Sequence, residues 1–266
     1  MAKLAVNEVT TYRWPFEEDA SQYARCGFDG IGVWRRKLAD FGEEKAKELL
    51  SETGLGVSSL GWIGGFTGAD GRTLKESVVD GMAAIESAAN LGAANLIVYS
   101  GARGGHTHNH ARRLLLSALK ELAPPAEELG VRLALEPMHP GCGGDWTFVH
   151  TFEDSLAVIE QVGSPALGLV IDVYHLGFDG RFLDVLSANS HAVALLQIGD
   201  AQDEPKDEQD RRPLGDGRLP LADALRRMNE AGYDGWVEIE LIGPGIEDQD
   251  YEQLLISSLE KVKQWR

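Results

Sequence analysis

Cysteine is nearly absent: Cys26 and Cys142 are the two present in 266 residues, and no CxxC spacing occurs. No disulfide framework can be built from them, and reduced thiols in a cytoplasmic setting are expected. Positive charge is also short, with 25 Lys and Arg against 42 Asp and Glu and a formal charge of −17. Nucleic acid and an anionic membrane surface both call for a basic face, so neither is expected as a partner. No apolar run nears the roughly 18 residues of a spanning helix. The opening MAKLAVNEVTTY has no long apolar core, so no secretory signal is expected. The remaining composition, 43% apolar and 25% charged, is that of an ordinary globular chain. No compositional break marks a linker, and a single domain over residues 1–266 is expected.

What the chain does have is alternation. Strand-like runs stand at Leu4–Val9, Gly30–Trp34, Val57–Trp62, Asn95–Tyr99, Arg132–Glu136, Gly168–Val173, Ala192–Ile198 and Trp236–Leu241. Between them lie stretches with helical spacing: Phe41–Thr53, Thr73–Leu91, His110–Leu129, Phe152–Gln161, Leu221–Ala231 and Tyr251–Trp265, with shorter crossovers at Glu17–Arg25 and Phe182–Asn189. A helix between successive strands forces parallel pairing, because parallel neighbours need a crossover. Eight units of about 33 residues match the roughly 250 residues of a (β/α)₈ TIM barrel, so the fold class is α/β. The rival doubly wound sheet would carry a glycine-rich phosphate turn after its first strand, and Val9–Pro15 contains no glycine. One loop holds a run of charge, AQDEPKDEQDRR at Ala201–Arg212, and it reads equally as a lid or as a solvated surface loop.

In such a barrel the C-terminal strand ends meet at one mouth. Four successive strands finish there with oxygen- or nitrogen-bearing groups after an apolar run: Glu136, Asp172 with His175, Gln197, and Glu238 with Glu240. A buried carboxylate is costly unless paired or bound to a cation. One divalent ion would compensate Glu136, Asp172 and Glu240 together, and an oxygen-rich set suits Mn²⁺, Mg²⁺ or Co²⁺. From spacing alone, a metal site and a satisfied polar rim explain these residues about equally.

Four segments resemble the sugar phosphate isomerase/epimerase family of xylose-isomerase-like barrels. They are Glu136-Pro137-Met138-His139-Pro140, Asp172-Val173-Tyr174-His175, Asp210–Gly217 (DRRPLGDG) and Gly232–Glu240 (GYDGWVEIE). Ketose 3-epimerases, hydroxypyruvate isomerase and inosose dehydratase belong to it, and the resemblance runs over essentially the whole chain. It implies one divalent metal, Mn²⁺ foremost and Mg²⁺, Co²⁺ or Zn²⁺ otherwise, on Glu136, Asp172, Gln197 and Glu240. Position 197 departs from the family pattern, since histidine is usual there and a glutamine carbonyl ligates more weakly. The resemblance also implies substrate contacts at His175 and Arg211, with Arg212 as the rival for the second. It implies catalysis by Glu136 and Glu240, a small sugar or polyol substrate, and permits a homodimer that no residue here demonstrates.

The chemistry so implied is proton transfer through an enediolate, giving isomerisation or epimerisation. Elimination from the same enolate, as in inosose dehydratase, and a non-catalytic sugar-binding barrel are the alternatives. A DNA-repair endonuclease of the same superfamily fits poorly with the acidic charge and the lack of histidines for a trinuclear zinc site. His139, three residues after Glu136, is a further candidate for substrate contact. Trp34 and Trp62 close strands, where aromatic faces could stack on sugar C–H surfaces or simply fill the barrel. The His106–His110 tract reads as a capped helix entry, with His106 placed toward the mouth.

Overall fold

The computed structural model describes residues 2–265. Eight parallel strands close into a barrel in chain order: β1 (Lys3–Asn7), β2 (Gly30–Trp34), β3 (Gly56–Ile63), β4 (Asn95–Val98), β5 (Arg132–Leu135), β6 (Leu167–Asp172), β7 (Val193–Ile198) and β8 (Trp236–Ile239). Closure comes from β8 pairing with β1, Lys3 opposite Trp236 and Val6 opposite Ile239. Helices fill the crossovers: α1 (Phe16–Cys26), α2 (Arg35–Phe41), α3 (Glu43–Thr53), α4 (Leu74–Leu91), α5 (His108–Glu128), α6 (Phe152–Val162), α7 (Val173–Leu176), α8 (Phe182–Ala188), α9 (Leu221–Glu230), α10 (Pro244–Glu247) and α11 (Tyr251–Trp265). This is the (β/α)₈ architecture expected from the alternation.

Two apolar layers hold it. Strand residues turned outward, among them Val6, Ile31, Leu96, Leu133, Leu169 and Leu196, are fully buried under the helices. Burying each such side chain contributes about 1.5–3 kcal/mol before entropy is counted. The inward layer is smaller: Ala5, Ile97, Ala134, Val170, Ala194, Leu195 and Trp236. Trp236 fits because β2 and β3 start with glycine; a Cβ on Gly30 or Gly56 would lie 2.6 or 2.9 Å from its ring carbons. Next along β2, Gly32 leaves room for Glu238, whose Oε2 a Cβ there would approach to 2.5 Å.

Boundaries differ from the sequence reading at a few places. The expected helix at Phe41–Thr53 is α3, which starts at Glu43 because Gly42 (φ 99°) turns the chain, and α2 (Arg35–Phe41) ahead of it was not expected. Helix α5 starts at His108, two residues early, where the Thr107 hydroxyl caps it by accepting from the His110 N–H. Strands β5 and β8 end one residue short of Glu136 and Glu240. Both acids stay on the last rung: the Glu136 N–H donates to the Val98 carbonyl (3.1 Å) and the Glu240 N–H to that of Ile198 (3.0 Å).

Candidate functional site

The four candidate ligands stand at the ends of β5 to β8, and the fold brings them together at the mouth. Glu136, Asp172 and His175 offer donor atoms that all lie within 4.8 Å of one another. Glu136 is buried; its Oε1 lies 3.7 Å from His175 Nε2, and its Oε2 has no partner among the described residues. Asp172 works in two directions, capping α7 through Oδ1 on the Tyr174 N–H (2.9 Å) and accepting from Arg211 Nη1 on Oδ2 (2.6 Å). Gln197 Nε2 donates to Glu238 Oε1 (2.9 Å) and to Glu240 Oε2, which leaves the buried carbonyl Oε1 without a partner among the described residues. Glu240 also accepts from Arg211 Nη2 at 3.4 Å.

Too many acids share this space for the cations present. Burial, then repulsion from Glu240, Asp172 and Glu208, pushes the Glu136 carboxyl well above the usual range, against the pull of Arg211. Burial takes Glu240 up to about 8; Arg211 opposes the rise, and Asp172, Glu238 and Glu208 add to it. Arg211 is itself buried, and although that burial works against its charge, Asp172, Glu240 and Glu208 hold the guanidinium protonated. Its neighbour Arg212 is exposed, so Arg211 is the arginine of this pair that reaches the site.

His175 is oriented from behind. The His139 backbone N–H donates to its Nδ1 at 3.3 Å, so the ring proton sits on Nε2, facing the acids. Burial pulls His175 down to about 3, which keeps the imidazole neutral at ordinary pH. Glu208 closes the cluster, with Oε1 3.1 Å from His175 Nε2 and Oε2 3.1 Å from Arg211 Nη2. Glu208 comes from the charged loop 201–212, which therefore folds back over the mouth. The Tyr174 hydroxyl donates to the Asp207 carbonyl, and Arg211 lies 4.2 Å from the Tyr174 ring centre. Asp200 stiffens the loop's base by accepting from the N–H groups of Ala201 (2.9 Å), Gly215 (2.9 Å), Gly217 (3.0 Å) and Leu219 (3.2 Å).

A cavity of about 440 Å³ stands over these groups, lined by Trp34, Trp62, Tyr99, Trp146, Glu208 and Glu240 among others. Trp34 and Trp62 thus face the site. His139 does not line it; with His150, Phe178 and His175 it borders a neighbouring cavity of about 250 Å³. His106 lies outside the cavity too, its Nε2 3.0 Å from the Thr67 carbonyl and its ring stacked toward His110. Glu208, Asn7 and Tyr99 were not foreseen. Asn7 ends β1 as a polar residue and could have been found that way, whereas Glu208 sits in a loop without periodicity.

Residues 20–264 match the family described as xylose isomerase-like TIM barrel. Inosose isomerase of Halalkalibacterium halodurans is 33% identical over 138 residues, 50% of this chain and 47% of that protein. The chain thus spans about half the length of the curated relatives it first matches. Ketose 3-epimerase of Arthrobacter globiformis is 26% identical over 86% of this chain and 78% of its own length. Among solved structures, that of the IolI protein with a bound zinc atom superposes with a TM-score of 0.86 at 23% identity, covering 99% of this chain and 97% of that one.

Proposed function

The chain thus belongs to the xylose isomerase-like TIM barrel family, and from that footing we propose that it is a divalent-metal-dependent isomerase or epimerase of a small sugar or keto-polyol. The observation that carries the reading is a charge imbalance: Asp172, Glu208 and Glu240 all pair with the Arg211 guanidinium, Glu136 stands beside them, and among the described residues the buried Glu136 Oε2 and Gln197 Oε1 have no partner. Such a set fits a hard cation, held by Glu136, Asp172, the Gln197 carbonyl and Glu240. A metal bound there would polarise a substrate carbonyl and the neighbouring hydroxyl oxygen, acidifying the C–H of the hydroxyl-bearing carbon. Mn²⁺ is our first assignment, and the zinc of the IolI structure supports a divalent ion in this fold.

The protein's own residues then move the proton. Glu136 stands at the end of β5 and Glu240 at that of β8, so two carboxylates stand at the mouth to take and return a proton. One takes the proton from carbon, giving an enediolate, and the other returns a proton to carbon. Return to the opposite face gives the epimer; return to the neighbouring carbon gives the isomer. Neutral His175 offers its Nε2–H to a substrate oxygen, and Arg211 fixes another. Loss of a β-hydroxyl from the same enediolate would make the enzyme a dehydratase.

Metal per chain, measured by plasma mass spectrometry on protein purified without chelator or nickel, is the first test. One equivalent, lost in Glu240→Ala, is expected, with solvent deuterium entering a ketose or inosose next to its carbonyl. Net loss of water from the substrate would select the dehydratase. Absence of metal even after Mn²⁺ soaking would leave a sugar-binding barrel instead.

A further inference from the structure

A second cavity, of about 620 Å³, opens beside the one over the carboxylates. The two share a wall, because Trp62, Tyr99, Asp145 and Trp146 line both. That wall is aromatic: Trp62 and Trp146 meet edge to face with ring centres 5.5 Å apart, and Trp62 and Tyr99 are tilted to each other at 5.4 Å. Trp146 is nevertheless 43% exposed, a large indole left without cover. The Tyr99 hydroxyl makes no hydrogen bond among the described residues, and burial together with Glu136, Glu240 and Glu208 keeps it protonated.

The far side holds two arginines, which at first suggest a phosphate. Their charge is already spent. Arg35 forks onto Asp80 (3.1 and 2.7 Å), and Arg72 bonds Asp70 (2.8 Å), Asp80 (3.2 Å) and the Gly64 carbonyl (3.0 Å). Asp145 adds a negative charge with no cation partner among the described residues. The compartment is therefore unsuited to a phosphate or carboxylate and suited to an uncharged group rich in hydroxyls, with C–H faces for the aromatic wall. Each cavity alone falls in or near the roughly 300–1,000 Å³ typical of small-ligand sites.

We propose that the substrate is a two-ring glycoside rather than a monosaccharide. Its reacting ring lies over the carboxylates, and its second, uncharged sugar ring lies in the compartment walled by Trp62, Tyr99, Asp145 and Trp146. This rests on the reaction proposed above and names its substrate class.

The test uses the full chain loaded with Mn²⁺. Binding of D-fructose, D-tagatose, maltulose, isomaltulose and D-fructose 6-phosphate is measured by calorimetry, and deuterium entry next to the carbonyl is followed on the same sugars. The disaccharides should bind about tenfold or more tightly than the monosaccharides. Trp146→Ala should collapse that ratio to about threefold or less, and Trp146→Phe should keep most of it. Equal binding of one- and two-ring sugars, or tighter binding of the phosphate than of the disaccharides, overturns the second-ring site while any deuterium entry leaves the reaction standing. Preferential disaccharide binding without deuterium entry keeps the site and overturns the reaction. Neither binding nor deuterium entry overturns both.

Discussion

Glu238 shows how a single buried residue sets the chemistry of its neighbours. Its carboxylate accepts from Asn7 Nδ2 (2.8 Å), Ser58 Oγ (2.5 Å), Ser59 Oγ (2.7 Å) and Gln197 Nε2 (2.9 Å), all neutral donors from β1, β3 and β7. Because a carboxylate only accepts, it binds the NH₂ end of Gln197 and turns the carbonyl the other way. Glutamine presents either end equally well on its own, so Glu238, together with Glu240, turns the Gln197 carbonyl toward the proposed metal. Glu238→Gln loosens that constraint and should weaken Co²⁺ binding about 10–100-fold in a spectroscopic titration. Circular dichroism would separate this from unfolding, and unchanged affinity in a folded variant would show that Glu238 does not tune the site through Gln197. The pairing was not legible in the sequence. Alternation places Glu238 and Glu240 on the same barrel face, but depth and partners come from Gly32, Ser58 and Asn7, which are remote in the chain. That Glu136, Asp172, Gln197 and Glu240 stand at the mouth was legible because each follows an apolar run at a strand end.

At the scale of elements, one ion pair ties the first two crossovers to the barrel. Lys37 in α2 is buried, and its Nζ donates to Asp19 Oδ2 in α1 (2.5 Å) and to the carbonyls of Glu8 (3.0 Å) and Thr11 (3.1 Å). Burial raises Asp19 to about 6 despite Lys37, and it raises Glu8 well above its ordinary value, with Asp19 adding to the effect. Lys37→Met would strand both acids without a cation and should cost about 3–5 kcal/mol at pH 7 by urea unfolding. The sign of the pH dependence follows from the raised values. The folded state binds these protons more tightly than the unfolded chain, so Asp19 weakens the fold in full above pH 6, and Glu8 acts in the same direction. That penalty is relieved as pH falls from about 6 toward 3.8, and the variant should therefore lose less at pH 5 than at pH 7. Equal losses at both pH values would mean the acids are already neutral. Nothing in the local sequence announced this pair, since Lys37 reads as an ordinary polar helix residue. The same limit explains why α2 was not legible: Arg35–Phe41 is short, lacks a side-chain cap, and buries Lys37 beside Leu38 rather than an apolar stripe.

For the molecule as a whole, the barrel was readable because parallel strands demand crossovers and the chain supplies one after each apolar run. The closure of loop 201–212 was not readable, since polar composition is the same for a lid and for a solvated loop. Asp200, Tyr174 and Arg211 decide it, and each acts across a distance the chain does not encode locally. Closure brings Glu208 into a mouth that already holds Glu136, Asp172 and Glu240, in a chain of formal charge −17. The metal-free fold therefore carries self-repulsion at a largely buried polar cluster, and a divalent cation would relieve it only by binding the folded state. Mn²⁺ at about 100 times its dissociation constant should add about 2.7 kcal/mol, raising the melting temperature by roughly 5–10 °C for a chain of this size. Sodium chloride at equal ionic strength should give a much smaller rise, because screening reaches buried charges poorly. Glu240→Ala removes a ligand and part of the repulsion together, so its metal-free form should melt close to the parent while the Mn²⁺ shift disappears. A full Mn²⁺ shift in that variant would place the ion elsewhere in the molecule.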